Sequence, residues 1–333
     1  MSGKPFGVLA MGRHARQTAF PAPVVTRLSA VAEVPVDLLV TDFADAEARE
    51  ALARAEFVIT GWGAPLLDAE ALQGMPRLRL AAHAAGSVKP HVTPRVWQRG
   101  IAVSSAADAN AEPVAEYTRA TIVLALKRAF ARAARYAVNG TAESHVPDCG
   151  YTNRTVGIVG ASRIGRRVLE LLRDYDMDLL VADPFYSGAE LEAMGAHSVP
   201  LDELCRRSDV VSIHAPQLSE THHLIDDRRL ALMRDGSVVI NTARGSLIDT
   251  EALVDHCRLG RLDAILDVTD PEPLPPGHPL LLLPNVWVTP HLAGAQGSEI
   301  ALLGDYAVSE VERFFAGKPL HGLVTEDELP RLA

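Results

Sequence analysis

The chain has 333 residues, 48% of them apolar and 22% charged, enough material for the cores of about two domains. Its 32 Lys and Arg stand against 42 Asp and Glu, leaving a formal charge of −10. That balance argues against a general nucleic-acid binder and against a protein held on anionic membranes.

Short apolar runs alternate with helical patterns from the start. Residues 6–11, 36–40, 57–60, 78–82 and 101–104 are strand-like and bounded by turn residues, while 46–55 and 66–72 between them carry apolar residues at helical spacing. Such alternation predicts a parallel sheet with helices on both faces. Residues 111–138 then predict one long helix, AEPVAEYTRATIVLALKRAFARAARYAV, with Pro113 tolerated near its start and Asp108 or Asn110 placed to cap it. Asn139-Gly140 closes the helix, and a polar, turn-rich segment follows to Asn153. A second strand series occupies 155–159, 179–182, 210–214, 238–241, 264–268 and 286–289, about one full dinucleotide-binding unit. An amphipathic stretch, 298–316, comes near the end. No run approaches the ~20 apolar residues of a membrane-spanning helix. The three cysteines (Cys149, Cys205, Cys257) are odd in number and widely spaced, so no disulfide framework and no metal site is expected. Together with an N-terminus lacking a signal-peptide pattern, this predicts a cytoplasmic protein.

The segment TVGIVGASRIGRRVLELL begins as a strand and ends as a helix, and Gly160, Ser162 and Gly165 fill the three positions of a GxGxxG loop. The first glycine permits the turn, the middle position admits a pyrophosphate close to the backbone, and the third lets helix and strand pack closely. Serine in the middle weakens the match, but it is small and adds a hydroxyl. The next strand ends at Asp183, whose carboxylate can accept from ribose hydroxyls and repels a 2′-phosphate. No arginine follows it directly, so NAD is expected rather than NADP.

Downstream, NTARG (241–245), DVTDPEP (267–273) and TPH (289–291) each sit at a strand end, where an open parallel sheet places ligands. With the glycine loop, the His214-Ala215-Pro216 strand end and Thr221, all in this order, the chain resembles the D-isomer-specific 2-hydroxyacid dehydrogenases. The resemblance implies two doubly wound α/β domains, with a Rossmann NAD-binding domain (106–292) inserted into a flavodoxin-like substrate domain (1–105 plus 293–333). It implies an NAD(H)-dependent oxidoreductase that interconverts a small 2-oxo acid and its D-2-hydroxy acid. In that family the NTARG arginine, here Arg244, grips the substrate carboxylate, for which a planar guanidinium fork is suited. His291 is the expected general acid and base, a task suited to an imidazole. Glu272 would hydrogen-bond it and fix its orientation. The same likeness places the Arg163 and Ile164 amides at the pyrophosphate, and His214, Pro216 and Thr221 near the adenosine. Thr242, Ala243 and Asp267 fall beside the nicotinamide, with Gly294 just after. The loop Ala85-Gly86-Ser87 corresponds to the family's substrate-carboxylate loop.

This chain departs from its relatives at Ser162, at Thr269 where an aromatic is common, and in the AAGSVK loop, where they usually carry an aspartate. A homodimer is expected by resemblance, with no nucleic-acid or membrane partner. Two alternatives stay open: oxidation of another small anion such as phosphite, and an NAD-sensing corepressor-like binding protein. Formate-type relatives pair the histidine with glutamine, which Glu272 argues against.

Overall fold

The computed structural model describes residues 3–140 and 149–331. The chain divides into two compact units: one runs from the N-terminus to Ala111 and resumes at Ala295, and the other is Glu112–Gly294.

In the first unit, strands β1 (Gly7–Ala10), β2 (Leu39–Val40), β3 (Phe57–Thr60), β4 (Leu80–His83) and β5 (Ala102–Ser105) form one sheet. Its order is β5-β4-β3-β1-β2, with the short strand Leu323–Val324 antiparallel on the β5 edge and every other pairing parallel. This is the flavodoxin-like order. The strands read as continuous apolar runs because both faces are covered. Successive residues alternate between two cores, Leu9, Phe57, Ile59 and Leu80 on one face and Val8, Ala10, Val58 and Val103 on the other. The helix Ile300–Phe315 belongs to this unit and packs Leu303, Ala307, Val308 and Val311 into the first core.

The second unit holds β6 (Arg154–Val159), β7 (Met177–Ala182), β8 (His197–Ser198), β9 (Val210–Ile213), β10 (Val238–Asn241), β11 (Asp263–Leu266) and β12 (Val286–Val288). The order β12-β11-β10-β9-β6-β7-β8, all parallel, is the Rossmann arrangement extended by one strand. Val156, Ile158, Val210, Ile240 and Ile265 fill one face; Val159, Leu180, Val211, Val239 and Leu266 fill the other. The order reverses between β6 and β9, so the carboxyl ends of those strands form the crevice where such sheets take ligands.

The single long helix expected over 111–138 is two helices, Ala107–Leu126 and Ala129–Asn139. Arg128 between them has φ of +54°, a left-handed conformation that ends the first helix, while its guanidinium is held 2.9 Å from Asp263 Oδ2. Neither proposed cap serves: the first helix starts at Ala107, ahead of Asp108 and Asn110, and Asn110 instead accepts the Ala295 amide at 3.1 Å. Most of the polar segment expected after the second helix, residues 141–148, lies outside the described residues. Among the described residues no helix is long and apolar enough to cross a membrane, and no cluster of His, Cys, Asp and Glu could hold a metal ion.

Candidate active site

The glycine loop is shaped by what surrounds it. Gly160 has φ of +95°, and a Cβ there would stand 2.9 Å from the Ala215 amide that follows β9. A Cβ at Gly165 would overlap the Gly160 carbonyl, so the helix Arg163–Leu172 can lie on the turn only as glycine. Ser162 is the N-cap of that helix, its Oγ accepting from the Gly165 amide at 3.4 Å. A serine is among the best N-cap residues, which accounts for its presence where the motif has glycine. A helix N-terminus of this kind offers amide donors and a partial positive charge to an anion. Asp183 stands just beyond β7. One carboxylate oxygen accepts the Ala161 amide at 2.7 Å and the other the Phe185 amide at 2.8 Å, so Asp183 ties down the loop while each oxygen keeps a second lone pair. The turn, the close backbone approach and the acid are the parts a dinucleotide requires.

His214 lies beneath this loop rather than at its surface. It is 4% exposed, and Nε2 pairs with Ser212 Oγ at 2.9 Å while Nδ1 has no partner. Burial pushes its imidazole down to about 3, so it is neutral. Thr221 clasps its own loop, accepting from the Leu218 amide at 2.8 Å and donating to the Pro216 carbonyl at 2.6 Å.

Three segments meet at the carboxyl ends of β10, β11 and β12. After β10, the Asn241 side chain accepts from the Ala243 amide at 3.0 Å and donates to the Arg244 carbonyl at 2.8 Å, closing a tight turn. Arg244 extends from this turn and donates to the Ala243 carbonyl at 2.6 Å. Partial burial pushes its guanidinium down from the ordinary arginine value, and the charge of Glu272 pulls the other way. Arginine's ordinary value is so high that it stays charged. Gly245 has no room for a side chain, since a Cβ would overlap the Thr269 carbonyl. Thr269 donates to the Pro271 carbonyl at 2.9 Å within the loop that leads to Glu272.

His291 Nδ1 and Glu272 Oε1 are 2.6 Å apart. His291 has φ of +53°, in the left-handed region that is uncommon for any residue carrying a Cβ. The strain is held by Asp267, which is 2% exposed. The Asp267 carbonyl accepts the His291 amide at 2.9 Å. Its Oδ1 accepts the Thr289 hydroxyl at 2.6 Å and the Leu292 amide at 2.8 Å, and Oδ2 the Ala293 amide at 2.9 Å. Gly294 follows directly. Asp267 thus braces the backbone on both sides of His291, a task the sequence did not disclose. Thr289 opens the TPH segment but the sequence gives it no role, and nothing in the sequence marks Tyr117 or Thr118: Tyr117 meets Thr289 Oγ1 at 2.9 Å, and Thr118 meets Thr242 Oγ1 at 3.0 Å.

An arginine, a glutamate-bonded histidine and a glycine loop at the switch point of a Rossmann sheet make a dehydrogenase constellation. Comparison with known proteins decides the family. Residues 120–293 match the model of the D-isomer specific 2-hydroxyacid dehydrogenase NAD-binding domain. The chain is 32% identical over 267 residues to a glyoxylate reductase of Korarchaeum cryptofilum, covering 78% of this chain and 80% of that one. The chain belongs to the D-isomer-specific 2-hydroxyacid dehydrogenase family. It is also 32% identical over 260 residues to a D-3-phosphoglycerate dehydrogenase of Archaeoglobus fulgidus, of which it spans 49%. The TT0316 protein of Thermus thermophilus superimposes with a TM-score of 0.74 at 32% identity, covering 96% of this dehydrogenase and all of that chain. The second unit of the dehydrogenase is therefore its NAD-binding domain, and the enzyme is an NAD-dependent oxidoreductase.

The remaining expected site residues, Ala85, Gly86 and Ser87, belong to the first unit of the dehydrogenase. They follow β4, where the Ala84 amide bonds the Thr60 carbonyl at 2.8 Å and the Ala106 amide the Ala85 carbonyl at 3.1 Å. Beneath them His83 is 2% exposed, paired with Thr60 Oγ1 at 2.9 Å, and burial pushes it down to about 3. Its ring lies 4.9 Å from that of His91, whose Nδ1 pairs with the Ala64 carbonyl at 3.0 Å.

Proposed function

We propose that this dehydrogenase interconverts a small 2-oxo acid of the glyoxylate type and its D-2-hydroxy acid, with Arg244 holding the carboxylate and His291 moving the proton. The observation that carries this is the 2.6 Å bond between His291 Nδ1 and Glu272 Oε1. A carboxylate can only accept, so Nδ1 carries its hydrogen and Nε2 is the nitrogen left to exchange a proton with substrate. Glu272 thereby fixes both the tautomer and the ring plane.

Gly160, Ser162, Arg163, Ile164 and Gly165 would hold the pyrophosphate and Asp183 a ribose, with Thr242, Ala243 and Gly294 toward the nicotinamide. NADH, when bound, supplies the hydride. In the reducing direction Arg244 fixes the carboxylate of the 2-oxo acid and so sets which carbonyl face is presented. His291 Nε2 donates its proton to the carbonyl oxygen as that oxygen gains electron density, and Glu272 stays charged. In the oxidising direction the same nitrogen accepts the hydroxyl proton. The Ala85–Ser87 amides are assigned to the substrate carboxylate.

NADH consumption over a panel of glyoxylate, hydroxypyruvate, pyruvate, phenylpyruvate and branched-chain 2-oxo acids tests the reading, with NAD reduction by phosphite as a separate arm. Arg244→Ala and His291→Ala should each lose most turnover while binding NADH as the wild type does. Either variant turning over near the wild-type rate would overturn its assigned role. We also propose a homodimer. The helix Ala129–Asn139 fully buries none of its residues and leaves Tyr136 and Val138 exposed, and sedimentation showing only monomer would refute it. Three free cysteines suit a reducing cytoplasm, which cell fractionation tests.

A further inference from the structure

The helix Ala107–Leu126 sends two adjacent side chains to two different catalytic turns, and the donor directions of both contacts can be fixed by elimination. The Thr289 hydroxyl lies 2.6 Å from Asp267 Oδ1, and a carboxylate cannot donate, so its hydrogen goes to Asp267. The Tyr117 hydroxyl, 2.9 Å from Thr289 Oγ1, must then be the donor in that pair. This gives a one-way chain, Tyr117 to Thr289 to Asp267, ending on the residue that braces the strained His291 backbone. Beside it, Thr118 donates to the Val114 carbonyl at 2.8 Å, so Thr242 is the donor across the 3.0 Å contact between their hydroxyls. Thr118 is fully buried and Thr242 is 7% exposed, so neither has water as a ready substitute partner. Thr242 lies two residues from Arg244, in the turn closed by Asn241.

We propose that Tyr117 and Thr118 are positioning residues that hold the His291 turn and the Arg244 turn in register from one helix. Neither touches the reacting atoms. Tyr117 acts through Thr289 and Asp267, and Thr118 acts through Thr242. The inference rests on the roles proposed above for Arg244 and His291, and it assigns each tether to a different kinetic constant. Loosening the proton donor affects chiefly the chemical step, whereas loosening the carboxylate clamp affects chiefly substrate capture.

Tyr117→Phe keeps the ring and removes the hydroxyl. On the best 2-oxo acid of the panel it should lower kcat about tenfold and leave the KM for that acid and the Kd for NADH within about twofold. Thr118→Val removes the hydroxyl at nearly constant volume and should raise the KM of the oxo acid about five- to tenfold with a smaller change in kcat, and Thr118→Ser should restore it. A purely structural role would lower the melting temperature without this split. A second readout needs no turnover. The His291 Nδ1 proton in its short bond to Glu272 should give a far-downfield proton resonance, which Tyr117→Phe should shift or broaden and Thr118→Val should leave in place. Wild-type constants in both variants with an unmoved resonance would overturn the proposal. If the wild type reduces no 2-oxo acid at all, the proposed activity fails. The resonance then decides the Tyr117 tether alone, in favour if displaced and against if not.

Discussion

Asp267→Asn replaces one oxygen of a buried hub with an NH2 group. The aspartate receives three side-chain-directed bonds, from Thr289, Leu292 and Ala293, at 2.6, 2.8 and 2.9 Å. Asparagine has one oxygen and one NH2. If the oxygen keeps Thr289 and Leu292, the NH2 faces the Ala293 amide, two donors 2.9 Å apart in a site 2% exposed. If the amide turns over, the NH2 faces the Leu292 amide instead. Either way one buried N–H is left without an acceptor, at a cost of about 1–3 kcal/mol, and the remaining bonds lose their charge assistance. A total near 2–4 kcal/mol follows, or roughly 4–15 °C in melting temperature for a unit of this size. The backbone released is that of His291, whose φ of +53° persists only while its neighbours enforce it. A shift of about 1 Å in a proton donor can cost on the order of 100-fold, so kcat should fall by one to two orders of magnitude. Thermal unfolding, NADH fluorescence titration and steady-state kinetics on one preparation separate these effects. A variant with kcat within about threefold of wild type would refute the bracing argument. A rise in the Kd for NADH with kcat unchanged would do so too, because it would make Asp267 a cofactor contact only.

Glu272→Gln retains a hydrogen-bond partner for His291 but loses the acceptor-only character that fixes the tautomer, and it should lower kcat about 10- to 100-fold with little change in the Kd for NADH, measured by stopped-flow and titration. Gly245→Ala places a methyl group inside the Thr269 carbonyl, so the Arg244 turn and the Glu272 loop must part; a loss of about 2 kcal/mol or more in urea unfolding, with a raised KM for the oxo acid, is expected. Acid should destabilise the fold through His83 and His214, each pushed down to about 3 by burial. The unfolded chain binds these protons below about 6.5 and the native state does not until about 3, so stability is full above that window and falls as pH drops through it, by about 2 kcal/mol per histidine at pH 5. Urea midpoints at pH 7.5 and 5.0 should show this, and His83→Gln should remove part of the loss; identical pH dependence in the variant would mean that His83 is protonated in the native state.

The sheets were legible because a parallel strand covered on both faces must be apolar at every position, and runs such as Val238–Ile240 leave few other readings. The break at Arg128 was not, since Lys127-Arg128 carries no glycine or proline; a left-handed arginine is chosen by its tertiary tie to Asp263, 135 residues away. Ser162 was partly legible. Its small side chain keeps the loop open to a phosphate, and a serine opening RIGRRVLELL also fits an N-cap, which is the position it takes.

The candidate site divides in the same way. Arg244, Glu272 and His291 stand in segments that could be found because each lies at the end of a strand, and strand ends are fixed by local pattern. The groups that brace them could not be found this way. The Thr118–Thr242 contact spans 124 residues and Tyr117–Thr289 spans 172, and no periodicity links such positions. On the helix AEPVAEYTRATIVLAL, Tyr117 and Thr118 read as ordinary members of a long helix. What distinguishes them is that a hydroxyl must find a partner wherever water is excluded. In this fold the partners available were the turns that carry His291 and Arg244. A single sequence shows which residues have the chemistry, and the hydrogen bonds of buried hydroxyls show what holds those residues still.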